Sequence, residues 1–166
     1  MDTGIRPLRE EEYSVLADFL LESVFVPEGS PRPPASLLEK PELQVYLQNF
    51  GSEPHDWALA AEHDGHIIGI VWARIMNDYG HVDDETPSLA MALLPGFRHR
   101  GTGTALLVGM LRLLGEKGYR QVSLSVQKAN TAALGLYRKI GFYPVSENKE
   151  EYIMVRDLPM APVTNQ

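Results

Sequence analysis

The apolar positions of this chain repeat with two different periods, and the two periods divide it into helices and strands. Helical spacing predicts four helices, over residues 10–25, 37–50, 101–117 and 131–140. Short apolar or alternating runs predict strands over residues 5–9, 57–63, 66–76, 88–94, 121–126, 143–145 and 152–155. The mixture of both periods in one chain indicates an α/β fold built on one sheet.

Turn residues punctuate this pattern. Asp64-Gly65 separates two strands and is a hairpin signal, while Gly118 follows a helix as its C-terminal stop. Asn130 is a candidate N-cap. Two segments, 26–36 and 77–87, read as loops, the first because it holds four prolines and the second because it is polar and acidic. We expect one domain over residues 1–158 and a flexible tail over 159–166.

Composition narrows the classes of function. The chain has 166 residues, of which 44% are hydrophobic, and its net charge is −7. This acidity argues against non-specific binding to nucleic acid or to an anionic membrane. The sequence contains no cysteine, which excludes disulfides, thiolate metal sites and a cysteine nucleophile. The amino terminus offers no secretory apolar segment, so we expect a cytoplasmic protein that binds neither membrane nor nucleic acid and needs no metal.

The segment 94–104, LPGFRHRGTGT, runs from a strand through a turn into a helix. Free N–H groups and the positive end of the dipole make such a helix start an anion site, and Gly101 and Gly103 would allow close approach to the main chain. Arg98, His99 and Arg100 oppose the dipole there unless an anion neutralises them. The pattern therefore predicts a phosphate site.

Two other phosphate motifs fit this segment less well. A P-loop requires Gly-Lys followed by Ser or Thr, and no lysine is near. The dinucleotide fingerprint requires a third glycine where Leu106 stands, and an acidic residue further on where Gln121 and Ser123 stand.

The segment Arg98-x-x-Gly101-x-Gly103 resembles the signature of the GCN5-related N-acetyltransferases (GNAT). Residues 130–142, NTAALGLYRKIGF, are similar to a second motif of that family, and both occur in the expected order. The resemblance implies a mixed, mostly antiparallel sheet of six to seven strands, with a central splayed parallel pair and about four flanking helices. It also implies that acetyl-coenzyme A (acetyl-CoA) is the acyl donor.

The resemblance carries a set of expected cofactor contacts onto this chain. The loop 98–104 would bind the pyrophosphate, and the strand 88–94 would pair its main chain with the pantetheine arm. Asn130, at the helix start, would lie near the same arm. The expected cofactor-binding residues are Met91, Ala92, Leu93, Arg98, His99, Arg100, Gly101, Thr102, Gly103, Thr104, Asn130 and Tyr137.

The resemblance also implies roles in the chemistry. Tyr137 would be the general acid that protonates the departing thiolate, since a tyrosine hydroxyl keeps its proton at neutral pH. Many relatives have a glutamate early in the strand where this chain has Ser88, and the general base is therefore unassigned. Glu85 and Asp84, with Asp83 and His81, are candidates for it; each is also explained as a solvated loop residue.

The sequence indicates the acceptor substrate less directly than the acyl donor. The acidic loop favours a cationic amine, and Trp57, Trp72 and Tyr79 are candidates for the wall of an acceptor pocket, although strand tryptophans often belong to the core. The favoured function is acetyl transfer to a primary amine of a small molecule. Two alternatives stay open: acetylation of a protein amino terminus or lysine, and acyl-CoA binding without catalysis. A homodimer is possible.

Overall fold

One seven-stranded sheet organises the fold in the computed structural model, which describes residues 3–158. The strands are β1 (Gly4–Pro7), β2 (Trp57–His63), β3 (His66–Arg74), β4 (Ser88–Leu93), β5 (Gln121–Gln127), β6 (Tyr143–Glu147) and β7 (Glu151–Asp157). Their order across the sheet is β1-β2-β3-β4-β5-β7-β6. All neighbouring pairs are antiparallel except β4 and β5, which are parallel.

Four α-helices accompany the sheet within the described residues: α1 (Leu16–Ser23), α2 (Pro41–Gln44), α3 (Thr102–Glu116) and α4 (Thr131–Ile140). Short 3₁₀ helices cover Glu10–Val15, Ala35–Glu39 and Pro95–Phe97. The expected mixed sheet with a central parallel pair and about four helices is confirmed. The predicted tail, 159–166, lies outside the described residues.

The alternation of side chains along β3 builds a core on each face of the sheet. Val71 and Ala73 pack in the cluster that α3 and α4 cover, whereas Ile70 and Trp72 pack in the cluster that α1 covers. All four residues have no exposed surface. Successive strand residues point to opposite faces, so one strand contributes to both layers.

Of the helices in the described part of the chain, none has the length and apolar character needed to cross a bilayer.

The predicted helix over residues 37–50 is wrong. Pro41 disfavours helical backbone at Lys40, whose φ of −65° and ψ of 137° are extended, and α2 begins at the proline itself. After α2 the chain continues in tight turns, in which the N–H of Tyr46 donates to the oxygen of Leu43 and that of Leu47 to the oxygen of Gln44. The predicted helix over 10–25 likewise divides, because Glu10–Val15 is a 3₁₀ helix and only Leu16–Ser23 is α-helical.

The parallel strands β4 and β5 meet at one point only. Ser88 and Ser123 are their single paired residues, and the N–H of Ser123 donates to the oxygen of Pro87 at 2.9 Å. Beyond this point the strands diverge, and the edge of β4 from Leu89 onwards has no partner strand within the described residues. The result is a slot through the middle of the sheet.

Candidate active site

The slot opens into one cavity of about 1170 Å³. Residues Leu89–Leu93 of β4 form one wall, and Ser125 and Val126 of β5 form the other. One end reaches the loop at the start of α3, and the far end reaches Tyr46, Tyr79 and the β6–β7 turn. This volume exceeds the roughly 300–1,000 Å³ of most small-molecule sites. The cavity therefore has room for two ligands that meet in the slot.

At the first end, the backbone of the loop before α3 is shaped for an anion. His99 has a φ of 62° and Gly101 a φ of 84°, both in the left-handed region. Left-handed residues in such loops turn N–H groups towards a common concavity. Gly101 is the N-cap of α3 and provides no side-chain acceptor for the first-turn N–H groups. Gly101, Gly103 and Thr104 all line the cavity, so these N–H groups are available to a ligand.

The two arginines of this loop have different surroundings. Arg98 lines the cavity, where its Nε donates to the oxygen of Leu93 at 3.1 Å and its Nη2 to Glu22 at 3.3 Å. Arg100 instead lies over the ring of Phe97, 5.5 Å from its centroid, beside a smaller cavity of about 370 Å³ that Thr102 also lines. Arg100 and Thr102 thus line the smaller cavity and not the main one, and their contact with the cofactor stays a prediction.

Sequence analysis missed a second cation at this end. Arg32 lines the cavity and forms an ion pair with Glu22, the residue that also accepts from Arg98. Glu22 lies in the last turn of α1, and 13% of its side chain is exposed. Since the three residues are far apart in sequence, no local pattern indicated that they would meet. An incoming polyanion would find two guanidinium groups here, with one carboxylate between them.

The register of β4 fixes which of its main-chain groups face the slot. The N–H of Leu94 donates to the oxygen of Ile68, which places this pair in the hydrogen-bonded position. Because such pairs alternate along antiparallel strands, Ala92 and Ala90 also bond towards β3. The N–H and C=O groups of Leu89, Met91 and Leu93 therefore point away from β3, into the slot. Met91 and Leu93 are two of the expected contacts; Ala92 lines the cavity but directs its main chain to β3.

Helix α4 brings Asn130 and Tyr137 to the cavity. Asn130 is the N-cap, and its Oδ1 accepts from the N–H of Ala133 at 3.3 Å. Tyr137 is 9% exposed and packs against Phe142 with 5.7 Å between ring centroids. Burial raises the pKa of Tyr137 to about 12. Its hydroxyl therefore stays protonated across the neutral range and is suited to donate a proton.

The acidic residues of the loop 77–87 do not contribute to the cavity wall. Neither Asp84 nor Glu85 lines it, and the side chain of Asp84 is 97% exposed. Asp83 Oδ1 accepts from the N–H of Glu85 at 2.9 Å, which makes it a turn residue, and His81 Nδ1 donates to the oxygen of Met76 at 2.8 Å. These four candidates for the general base fold into their own loop, away from the cavity.

Of the three aromatic candidates for the acceptor wall, the two tryptophans lie away from the cavity and only the tyrosine lines it. Trp72 is fully buried and donates from Nε1 to the oxygen of Tyr46 at 3.1 Å, and Trp57 donates to the hydroxyl of Tyr119 at 3.0 Å. Both tryptophans lie outside the cavity wall, whereas Tyr79 and Tyr46 line it. Tyr46 was missed because its segment reads as an amphipathic helix.

The chain thus combines a glycine-rich helix start with a slot between diverging parallel strands, and comparison with known proteins identifies the family to which this arrangement belongs. The family model described as "Acetyltransferase (GNAT) family" matches residues 20–142. The chain therefore belongs to the GNAT family, and the resemblance seen in its motifs is confirmed.

Individual relatives extend this comparison. The chain is 34% identical over 90 residues to a mycothiol acetyltransferase of Clavibacter sepedonicus, covering 54% of this chain but only 28% of that protein. It is 29% identical over 113 residues to an N-alpha-acetyltransferase of Sulfurisphaera tokodaii, covering 59% of this chain and 67% of the relative. The crystal structure of the PaiA N-acetyltransferase of Thermoplasma acidophilum in complex with coenzyme A has a TM-score of 0.71 at 20% identity, covering 95% of this chain and 99% of the other.

Proposed function

We propose that this chain transfers the acetyl group of acetyl-CoA to a primary amine of a small molecule, by direct attack while both substrates are bound. The observation that carries the proposal is the continuity of the cavity. One space joins the anion-binding loop, the unpaired edge of β4 and Tyr137. A donor that holds its phosphates at the loop and its thioester in the slot would leave the far end free for an acceptor.

Several features support acetyl-CoA as the donor. The N–H groups at the start of α3 and the guanidinium of Arg98 fit a pyrophosphate. The main-chain groups of Met91 and Leu93 fit the amides of a pantetheine arm, which would pair with β4 as an added strand does. Six strand residues span about 20 Å at roughly 3.3 Å per residue. The acetyl group would then lie near the beginning of β4, where the slot closes at Ser88.

In the proposed reaction the amine nitrogen forms a bond to the thioester carbonyl carbon, and the carbon–sulfur bond breaks. A β4 N–H directed into the slot is suited to stabilise the oxyanion that develops on the carbonyl oxygen. The Tyr137 hydroxyl would donate its proton to the departing thiolate. The nitrogen would release one proton to solvent as the amide forms, and Tyr137 would recover a proton from solvent. Holding the two reactants in contact supplies part of the rate enhancement.

A second acceptor class has an observation in its favour. The relative from Sulfurisphaera tokodaii is an N-alpha-acetyltransferase, and it aligns with 59% of this chain. The α-amine of a polypeptide would have to enter at the far end of the cavity, between Tyr46, Tyr79 and the β6–β7 turn. The same assay distinguishes the two classes.

The test is an acceptor screen of the purified full chain with acetyl-CoA. The panel contains spermidine, kanamycin, free lysine and a short peptide with a free amino terminus, and released thiol is read with a chromogenic disulfide. Since the sequence has no cysteine, any thiol comes from the cofactor. We expect amine-dependent thiol release and an acetylated product with at least one small amine. Acetylation of the peptide alone would favour the second class, and cofactor binding without turnover on any acceptor would overturn the enzymatic proposal.

Tyr137→Phe tests the role of the acid in the same assay. We expect kcat to fall by about 10²-fold or more, as for loss of a general acid, with the Kd for acetyl-CoA unchanged. Tyr143→Phe is the matched control, because the Tyr143 hydroxyl lies on the exposed strand β6, 3.2 Å from Asp157. Equal turnover of the two variants would show that Tyr137 is not the acid.

A further inference from the structure

Asp78 is a partly buried acidic residue that the proposed reaction does not yet use. It lies between β3 and β4, and its Oδ2 accepts from the Oγ of Ser88 at 2.5 Å. Its Oδ1 is buried and has no hydrogen-bond partner among residues 3–158. Burial raises the pKa of Asp78, and the Ser88 hydroxyl, the Tyr46 hydroxyl and the Gly80 backbone lower it in part. A buried carboxylate oxygen without a partner is costly, and such groups persist mainly where they serve a function.

The segment that carries Asp78 is fixed at the point where the slot closes. The carbonyl oxygen of Gly80 accepts from the Oγ of Ser123 at 2.7 Å, and Ser123 is the β5 partner of Ser88. Gly80 packs so closely that an added Cβ would lie 2.9 Å from the Oγ of Ser88 and 3.0 Å from the main chain of Leu124. Asp78 is therefore held next to the place where the donor's acetyl group would lie.

Tyr46 connects this carboxylate to the cavity. Tyr46 lines the cavity, and the Asp78 carboxylate and the Ser125 hydroxyl are near enough to its own hydroxyl to shift its pKa. Burial and the neighbouring charge of Asp78 raise the pKa of Tyr46, so that the hydroxyl stays protonated at neutral pH. The backbone at Tyr46 is anchored on β3, because Trp72 donates to its oxygen and Arg74 donates to the neighbouring carbonyls of Val45 and Gln48.

The acceptor amine needs such a group. An alkylamine has a pKa near about 10.4 and is almost entirely an ammonium ion at neutral pH, whereas attack on a thioester requires the free electron pair. A protonated phenol beside a carboxylate can accept a proton and pass its own proton on. The pair Tyr46–Asp78 has this arrangement at the acceptor end of the slot.

On the basis of the proposed function, we propose that the Tyr46 hydroxyl contacts the acceptor's amino group and relays its proton to Oδ1 of Asp78. One N–H bond of the ammonium and the original O–H bond of Tyr46 break, while a new O–H bond forms on Tyr46 and another on Asp78. No oxidation occurs, and the nitrogen regains its electron pair. Asp78 acts through Tyr46 as a positioning residue and proton acceptor. It would do so from the loop before β4, whereas many relatives have a glutamate in the strand, at the position of Ser88.

The test compares pH profiles of kcat/KM for Asp78→Asn and the wild-type chain, with the best amine of the acceptor panel. Asparagine keeps the shape and can still accept from Ser88. We expect kcat/KM to fall by about 10²-fold at neutral pH, with an unchanged Kd for acetyl-CoA. The activity of the variant should then recover as the pH approaches the pKa of the amine, because the free amine no longer needs a base. A structural defect would not be repaired by alkaline pH.

The acid limb of the wild-type profile gives a second readout. Protonation of Asp78 should stop the relay, so wild-type kcat/KM should level off above the ordinary aspartate range and fall only when the pH drops towards it. In Asp78→Asn this plateau should be absent, and kcat/KM should fall continuously as the pH drops below the pKa of the amine. Other titratable groups face this region from neighbouring elements: Glu151 on β7, Glu42 on α2, Tyr79 and His81 in the same loop. Glu151→Gln, examined in the same way, should keep the plateau.

Matched variants keep the test decisive. Asp64→Asn makes the same chemical change in the exposed β2–β3 turn and should behave as wild type. Tyr46→Phe should lower kcat/KM as Asp78→Asn does, and the double variant should lose little more, since the two side chains act in one relay. If Asp78→Asn fails to fold, the profile of Tyr46→Phe decides. A wild-type chain that acetylates amines while Asp78→Asn or Tyr46→Phe keeps full activity at neutral pH would overturn this inference alone. A wild-type chain without acetyl transfer would overturn the proposed function itself.

Discussion

The two ends of the cavity are built in different ways. The loop end takes its N–H groups and Arg98 from one continuous segment, where β4 turns into α3, and Glu22 and Arg32 join it from another part of the chain. The far end takes Tyr46, Tyr79 and Glu151 from separate segments. The anion site at the first end depends mainly on local backbone conformation, whereas the second end depends on side chains that join distant segments. A substitution is therefore expected to act mainly on one end, and the following variants test that separation.

The largest effect is expected at Arg74, which secures the far end. Its guanidinium binds the Asp56 carboxylate at 3.0 Å and donates to the carbonyl oxygens of Val45 and Gln48. The side chains of Arg74 and Asp56 are 6% and 1% exposed. Arg74→Met would leave a buried carboxylate unpaired, which costs about 3–5 kcal/mol in the free energy of unfolding. Denaturant titration measures this loss.

Arg6→Met provides the comparison for Arg74. Arg6 also binds two carboxylates, Glu12 and Glu62, but 22% of its side chain is exposed. Water screens such a pair, so its loss should cost only about 0–1 kcal/mol. Equal losses for the two variants would mean that the Arg74 pair does not hold the segment of Tyr46 in place.

The next effect concerns the donor end, where the structure separates two neighbouring arginines. Arg98→Gln removes the guanidinium that lines the cavity, and Arg100→Gln removes one that lies on Phe97 outside it. A hydrogen bond to a charged group contributes about 1.5–3 kcal/mol, so Arg98→Gln should raise the Kd for acetyl-CoA by about tenfold or more. Calorimetric titration measures both variants. A larger effect at Arg100 would reverse the assignment and place the phosphate site on the other side of the loop.

A smaller effect is expected at Gly101, where the backbone alone is altered. Its φ of 84° is unfavourable for residues with a Cβ, although an added Cβ would meet nothing within 4 Å. Gly101→Ala should therefore cost about 1–2 kcal/mol through conformation and not through a clash. Part of this cost should appear as weaker binding of acetyl-CoA, because the loop would shift its N–H groups.

Gly101→Asn distinguishes the two causes. Asparagine tolerates the left-handed region better than alanine but is larger. Greater stability and tighter cofactor binding in Gly101→Asn than in Gly101→Ala would support a conformational cause. The opposite order would point to steric exclusion of the ligand.

The contrast between the two ends also explains what the sequence could predict. The glycines and arginines of the loop 94–104 are contiguous in sequence and could therefore be recognised as a motif. The seven strands could be predicted from local periodicity. The residues of the far end are not contiguous in sequence. Pro41 breaks the helix that the apolar pattern predicts, and Tyr46 and Asp78 come close only when β3, β4 and β5 assemble. The sequence contained only a weak indication of a functional role for Asp78, namely that this acidic residue follows soon after a buried strand. The sequence also could not predict the direction of the Arg100 side chain. In a turn, the backbone conformation decides where neighbouring side chains point, and residue type does not show it.

The smallest effect is expected from the acidic loop, whose residues were candidates for an unassigned general base. Asp84→Asn together with Glu85→Gln should change stability by less than about 0.5 kcal/mol, as for exposed positions away from a site. Turnover should also be unchanged, because neither side chain lines the cavity. Steady-state kinetics with the best amine of the panel measures this. A marked loss of kcat would mean that the loop 81–85 folds over the acceptor during the reaction, and the base would then have to be sought there and not at Tyr46 and Asp78.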